Sequence, residues 1–155
     1  MPLLKRLAIR SLLIITIMSL FSCTGQRPNN LGISNGKLSD CPSSPNCVSS
    51  DAADDGHKIS AIQFTIPAAD AWKLSRQAVL SLPRSQIITE SANYLHAECS
   101  SAVFGFVDDL ELQLRPSEGI IAVRSASRLG HSDFGVNKKR VEALRSALSN
   151  LGVSE

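Results

Sequence analysis

Three groups of residues in this chain carry side chains suited to chemistry. Cys41 and Cys47 bracket Pro-Ser-Ser-Pro-Asn. In an oxidising compartment such a pair closes a short, turn-like loop as a disulfide, restricting the denatured chain by roughly 2–3 kcal/mol. A redox pair or half of a metal site are the alternatives. Both suit the spacing poorly, because thioredoxin-like and zinc-knuckle pairs are separated by two residues and these by five. Cys99 is then left over, expected as a buried apolar strand residue.

The second group is Tyr94, His96 and Glu98, which alternate and so project from one face of a strand. His96-Ala97-Glu98 matches the opening of the zinc nucleobase-deaminase signature, but no downstream Pro-Cys-x-x-Cys follows to complete a metal site. No metal or cofactor is expected. His96 with Glu98 or Asp109 could work as a general acid–base pair in a hydrolase or isomerase. The competing reading is a solvated sheet face on which these residues, with Asp109, Glu111 and Arg124, pair across strands.

The third group runs from Arg124 to Asn137 and contains Gly130 and Gly135. Arg124, Arg128, Lys138 and Arg140 crowd near the start of a helix, where free N–H groups attract anions. A phosphate, carboxylate or anionic head group would fit there. Alternatively Asp133 and the Asp108-Asp109 pair absorb these arginines in a structural network. A Ser127, His131, Asp133 triad can be written on paper, but no spacing supports it. No G-x-G-x-x-G, Walker loop, H-E-x-x-H or G-x-S-x-G occurs.

Where this chemistry would take place is written at the N-terminus. Lys5, Arg6 and Arg10 precede the apolar run Ser11 to Phe21, and Leu20-Phe21-Ser22-Cys23 follows. This reads as a signal peptide over 1–22 with Cys23 as the lipid-bearing residue. An apolar core of about ten residues is half of what a spanning helix needs. Export with a lipid anchor to the cell membrane is therefore expected. In a diderm host, Thr24 after the cysteine points to the periplasmic side of the outer membrane. Removing 1–22, with three basic and no acidic residues, turns the formal charge of +2 into −1. No basic field is left to favour nucleic acid.

The elements that must position these groups follow from periodicity. Residues 23–40 show Gly, Asn, Ser and Pro without apolar period, and read as the lipidated cysteine and a flexible tether. A single domain is expected over 41–152. Ala61–Ile66 alternates as a strand, and Ala68–Leu82 has helical spacing until Pro83 stops it. Strands are expected at Gln86–Glu90, Tyr94–Ser100, Val107–Arg115 and Gly119–Ser127. A last helix is expected to be capped by Asn137, with Val141, Leu144, Leu148 and Leu151 on one stripe. The order β-α-β-β-β-β-α predicts an α+β fold, one antiparallel sheet with both helices on one face, TBP-like or helix-grip-like in outline. The other sheet face stays open to solvent, ligand or partner.

Several of these stretches occur together in one known pattern. Cys41-Pro42, Ser44 to Ser50, Tyr94 to Glu98, Phe104 to Asp109, Arg124 to Arg128, Ser132 to Asn137 and Arg140-Val141-Glu142 follow in that order. The chain in this respect resembles the bacterial and plastid family named domain of unknown function 1499, over about Leu31 to Leu151. The resemblance implies a small exported or membrane-attached domain, often a lipoprotein, with no established activity, substrate or cofactor. Its recurrent polar residues map to His96, Glu98, Asp108, Asp109, Arg124, Arg128, Asp133 and Arg140. The combined expectation is a non-enzymatic envelope domain that binds a small anionic ligand or a protein partner. Acid–base catalysis by His96, or redox work by Cys41 and Cys47, is the alternative.

Overall fold

The computed structural model describes residues 25–154, so the expected signal, Cys23 and Thr24 lie outside the described residues. In chain order the elements are β1 (Ile33–Ser34), β2 (Lys37–Leu38), β3 (Cys47–Ser49), β4 (Ile62–Gln63), α1 (Ala68–Ser81), β5 (Ser85–Glu90), β6 (Tyr94–Ser100), β7 (Val107–Arg115), β8 (Ile120–Ser127) and α2 (Val136–Asn150). A 3-10 turn, Pro116–Glu118, joins β7 to β8. The six-stranded sheet runs β5-β6-β7-β8-β3, with β4 also paired to β8, and every strand pair in it is antiparallel. The α+β reading, with one main sheet and two helices, holds.

Alternation divides the long strands into two chemically different faces. Leu95, Ala97 and Cys99 of β6, Leu110, Leu112 and Leu114 of β7, and Ile121 and Val123 of β8 point toward the helices and are buried. From α1 come Ala71, Ala78 and Val79, and from α2 Val141, Leu144 and Leu148, all without solvent exposure. Each large side chain so buried contributes about 1.5–3 kcal/mol relative to exposure. Helix α1 stops at Ser81 because Leu82, ahead of Pro83, is pushed into extended backbone at φ −67°, ψ 140°. Cys99 is a free thiol in this core, and burial pushes its pKa up to about 11.

Three local expectations are corrected. The alternating stretch Ala61–Ile66 pairs only over Ile62–Gln63, although Phe64 and Ile66 still pack on the core. Asn137 does not cap α2. It lies one residue inside the helix and is fully buried, while Asp133 accepts hydrogen bonds from the N–H groups of Gly135 (2.9 Å) and Asn137 (2.8 Å). The largest change concerns the tether. Residues 25–40 form the β1–β2 hairpin and lie over the second sheet face, which is therefore neither open nor solvated. Strand β3, which begins at Cys47 itself, likewise has no counterpart in the sequence periodicity.

Candidate functional site

The second face of the sheet is built by one strand in alternation: Asp109, Glu111, Gln113 and Arg115 of β7, all buried. An unpaired buried charge costs several kcal/mol, so each must be met by a partner. Flanking strands supply some. Glu111 stands opposite His96 on β6 and Arg124 on β8, and Glu98 stands opposite Asp109. Asp51, just after β3, and the N-terminal segment supply the rest.

Around Glu111 the bonds are complete. One carboxylate oxygen accepts from the Tyr94 hydroxyl (2.8 Å) and the Gly32 N–H (2.7 Å), and the other accepts from Arg124 Nη1 (2.8 Å). Burial, then the neighbouring Glu111 carboxylate, pushes the Tyr94 phenol far above its ordinary pKa, so it stays a donor. Two residues along, Asp109 accepts from His96 Nε2 (2.7 Å) and from Arg128 through Nε (2.9 Å) and Nη2 (2.6 Å). Burial alone would raise the Asp109 pKa, but hydrogen bonds from Arg128 and then His96 outweigh it and hold the carboxyl below its usual range. With Asp109 ionised, His96 Nε2 carries the proton and donates. Arg128 Nη2 also reaches Glu98 (2.5 Å), which Arg27 holds from the N-terminal segment through Nε (2.9 Å) and Nη2 (2.6 Å). At the far end Arg115 grips Asp51 with Nη1 and Nη2 (2.9 and 2.5 Å), and the Gln113 amide reaches the hairpin, its Nε2 donating to the Gly36 carbonyl (3.1 Å).

The candidate residues are thus divided between two places. His96, Glu98, Asp109, Arg124 and Arg128 meet in the network just described. Asp108 and Arg140 lie on the helix side, bonded to each other at 2.6 Å. There Arg140 also donates to Ser125 Oγ and Asn137 Oδ1, and Asn137 Nδ2 donates to the Asn46 carbonyl and Ser127 Oγ. This second cluster locks α2 to the sheet and to the cysteine loop. Asp133 accepts from the Gly135 and Asn137 N–H groups at the entrance of α2, whose N-cap residue is Gly135. Cys41 and Cys47 are joined as a disulfide.

Beside the network lies a cleft of about 350 Å³ where the N-terminal segment and the disulfide loop lean over it. Pro28, Asp40, Pro42, Asp109, Arg124 and Arg128 are among its walls. Arg124 is 4 % exposed, and its Nε is a buried donor without a hydrogen-bond partner among the described residues. His96 is 2 % exposed and does not line this cleft. Among the described residues no three His, Cys, Asp or Glu side chains are grouped as metal ligands. Arg124 and Arg128 are marked by the sequence, but Arg27, Asp51 and Asn46 are not, because their roles depend on contacts 64 or more positions away. No local signal marks them.

Fold and site together define a class: a small α+β domain whose sheet is helix-packed on one side and, on the other, carries buried ion pairs covered by its own N-terminal segment. The chain belongs to the family described as Protein of unknown function (DUF1499), whose model matches residues 37–148. No curated protein matches the chain significantly.

Proposed function

We propose that this chain is an exported, lipid-anchored domain of the cell envelope that binds a small anionic group in the cleft over Arg124. The carrying observation is that the buried Arg124, one of the residues lining that cleft, has an Nε donor with no hydrogen-bond partner among the described residues. A buried donor of this kind is costly unless something accepts its proton. Three carboxylates in the network (Glu98, Asp109, Glu111) are matched by three guanidiniums (Arg27, Arg124, Arg128). An incoming anion is therefore held by directed hydrogen bonds and not by surplus charge. That favours a carboxylate over a multiply charged phosphate. The anchor is supported by the charged, apolar and Leu-Phe-Ser-Cys succession ending at Cys23.

A binding role is favoured over acid–base catalysis by the state of His96. Its Nε2 donates to Asp109, which leaves Nδ1 as the acceptor, but the residue is 2 % exposed and does not line the cleft. A general base needs an approachable proton acceptor.

Thermal unfolding in acetate, succinate or phosphate at constant ionic strength tests the ligand. At ten times Kd, mass action adds about 1.4 kcal/mol, a rise of several degrees in Tm. The rise is expected for wild type and not for Arg124→Met/Glu111→Met, which removes the pair together and leaves no buried orphan charge. Equal shifts in both proteins, or none in wild type, would overturn the anion site.

A further inference from the structure

Apart from Ile33 and Leu80, the exposed large apolar side chains of the described residues gather at one end of the sheet. Val103, Phe104 and Phe106 lie in the β6–β7 loop, and Leu129, Phe134 and Val136 in the passage from β8 into α2. The register places these segments together, since Ser100 pairs with Val107 and Asp108 with Ser127 at that end.

This display is constructed. Ser101 and Phe106 close the loop by two hydrogen bonds (2.8 and 3.0 Å), and the Phe104 and Phe106 rings pack tilted, 5.7 Å between centroids. Phe104 is nevertheless 71 % exposed. Phe134 is 90 % exposed and sits at φ +53°, a left-handed conformation unfavourable for an aromatic residue. Hydrogen bonds from the Phe134 N–H to Ser132 Oγ and from the Gly135 N–H to Asp133 Oδ1 hold it there. Exposed Arg84, Lys138 and Lys139 flank the apolar tip.

The same end receives the N-terminus. A Cβ on Gly25 would stand 2.9 Å from Arg128 Cβ and 3.0 Å from Leu129 Cγ, so the chain passes directly over Leu129. Cys23 is two residues further back, a reach of at most about 7 Å. The turn at Pro116–Glu118 lies a full nine-residue strand away, about 30 Å. Aromatic tips with a ring of cations suit the interface of an anionic bilayer.

We infer that this end of the domain seats on the membrane, with Phe104 and Phe134 among the lipid headgroups and Arg84, Lys138 and Lys139 over anionic phosphates. The inference rests on the lipid-anchor reading for the side from which the membrane approaches. Docking would fix the domain's orientation and turn the cleft's disulfide rim toward the interface.

Single tryptophans at 104, 134 or 117, each in a Trp72→Phe background, provide the test. The full chain is extracted from membranes and reconstituted into phosphatidylethanolamine–phosphatidylglycerol vesicles, with or without brominated acyl chains. Positions 104, 134 and 117 are exposed, so substitution leaves the fold intact. Phe104→Trp and Phe134→Trp should lose at least about half their emission to brominated lipid, and Ser117→Trp almost none. No quenching at 104 and 134, or equal quenching at all three, overturns the docking whatever Cys23 carries. The mass of the extracted chain reports acylation separately: quenching with an unmodified Cys23 removes the anchor and supports the docking.

Discussion

The two faces of one sheet are closed by opposite means. Toward the helices, Leu110, Leu112, Val123 and their neighbours meet Leu144, Leu148 and Val79, and the seal is loss of apolar surface to water. Toward the N-terminal segment, Asp109, Glu111, Gln113 and Arg115 are equally buried, but the seal is a set of directed bonds to Gly32, Gly36, Asp51 and side chains of β6 and β8. The first face tolerates approximate fits, since apolar contact has no direction. The second does not, because a missing partner leaves a charge in low dielectric. A binding site is better placed on the second, where polar groups are already fixed in position.

That contrast can be broken most severely at Glu111. Glu111→Ala should cost about 3–5 kcal/mol by stranding Arg124, similar to Leu112→Ala on the other face at about 2–5 kcal/mol. The faces separate in the rescue. Adding Arg124→Met to Glu111→Met should return most of the stability in urea unfolding, and no single further truncation should rescue Leu112→Ala. Failure of the rescue would mean that the polar seal is not electrostatic.

A smaller effect is expected from pH. Asp109 and Glu98 are held below their usual carboxylate range, so their stabilising contribution is present above the unfolded pKa near 4 and is lost as pH falls through the folded values. The urea midpoint should drop between about pH 5 and 3, and the drop should shrink in Asp109→Asn. An unchanged slope in that variant would remove Asp109 from the polar seal. The smallest effect belongs to Arg27→Ala. Its side chain is 51 % exposed, so the Arg27–Glu98 pair should contribute less than about 1 kcal/mol, and 0.5 M salt should abolish the difference from wild type.

Much of the frame was legible along the chain. Tyr94–Ser100 and Val107–Arg115 have the expected strand bounds, and the stripe Val141, Leu144, Leu148 packs as predicted, because period two and period 3.6 are local properties. Residues 25–40 were not legible, since backbone groups and one arginine fix them, with Leu38 as their buried apolar residue. Asn137 misled for a related reason: Asn favours both caps and buried polar junctions, and only the neighbouring Asn46, Ser125 and Ser127 decide between them.

By itself, then, the sequence determined the strand and helix periods, the two-residue spacing of Asp109 and Glu111 on β7, and the cysteine pair able to close a loop. Tertiary structure alone decided that the charged face is sealed, that the candidate polar residues fall into two networks, and that Arg124 keeps one donor unused among the described residues. The physical reason is range. Periodicity is set by neighbours a few residues apart, whereas the desolvation of a charge depends on whatever the rest of the chain lays over it.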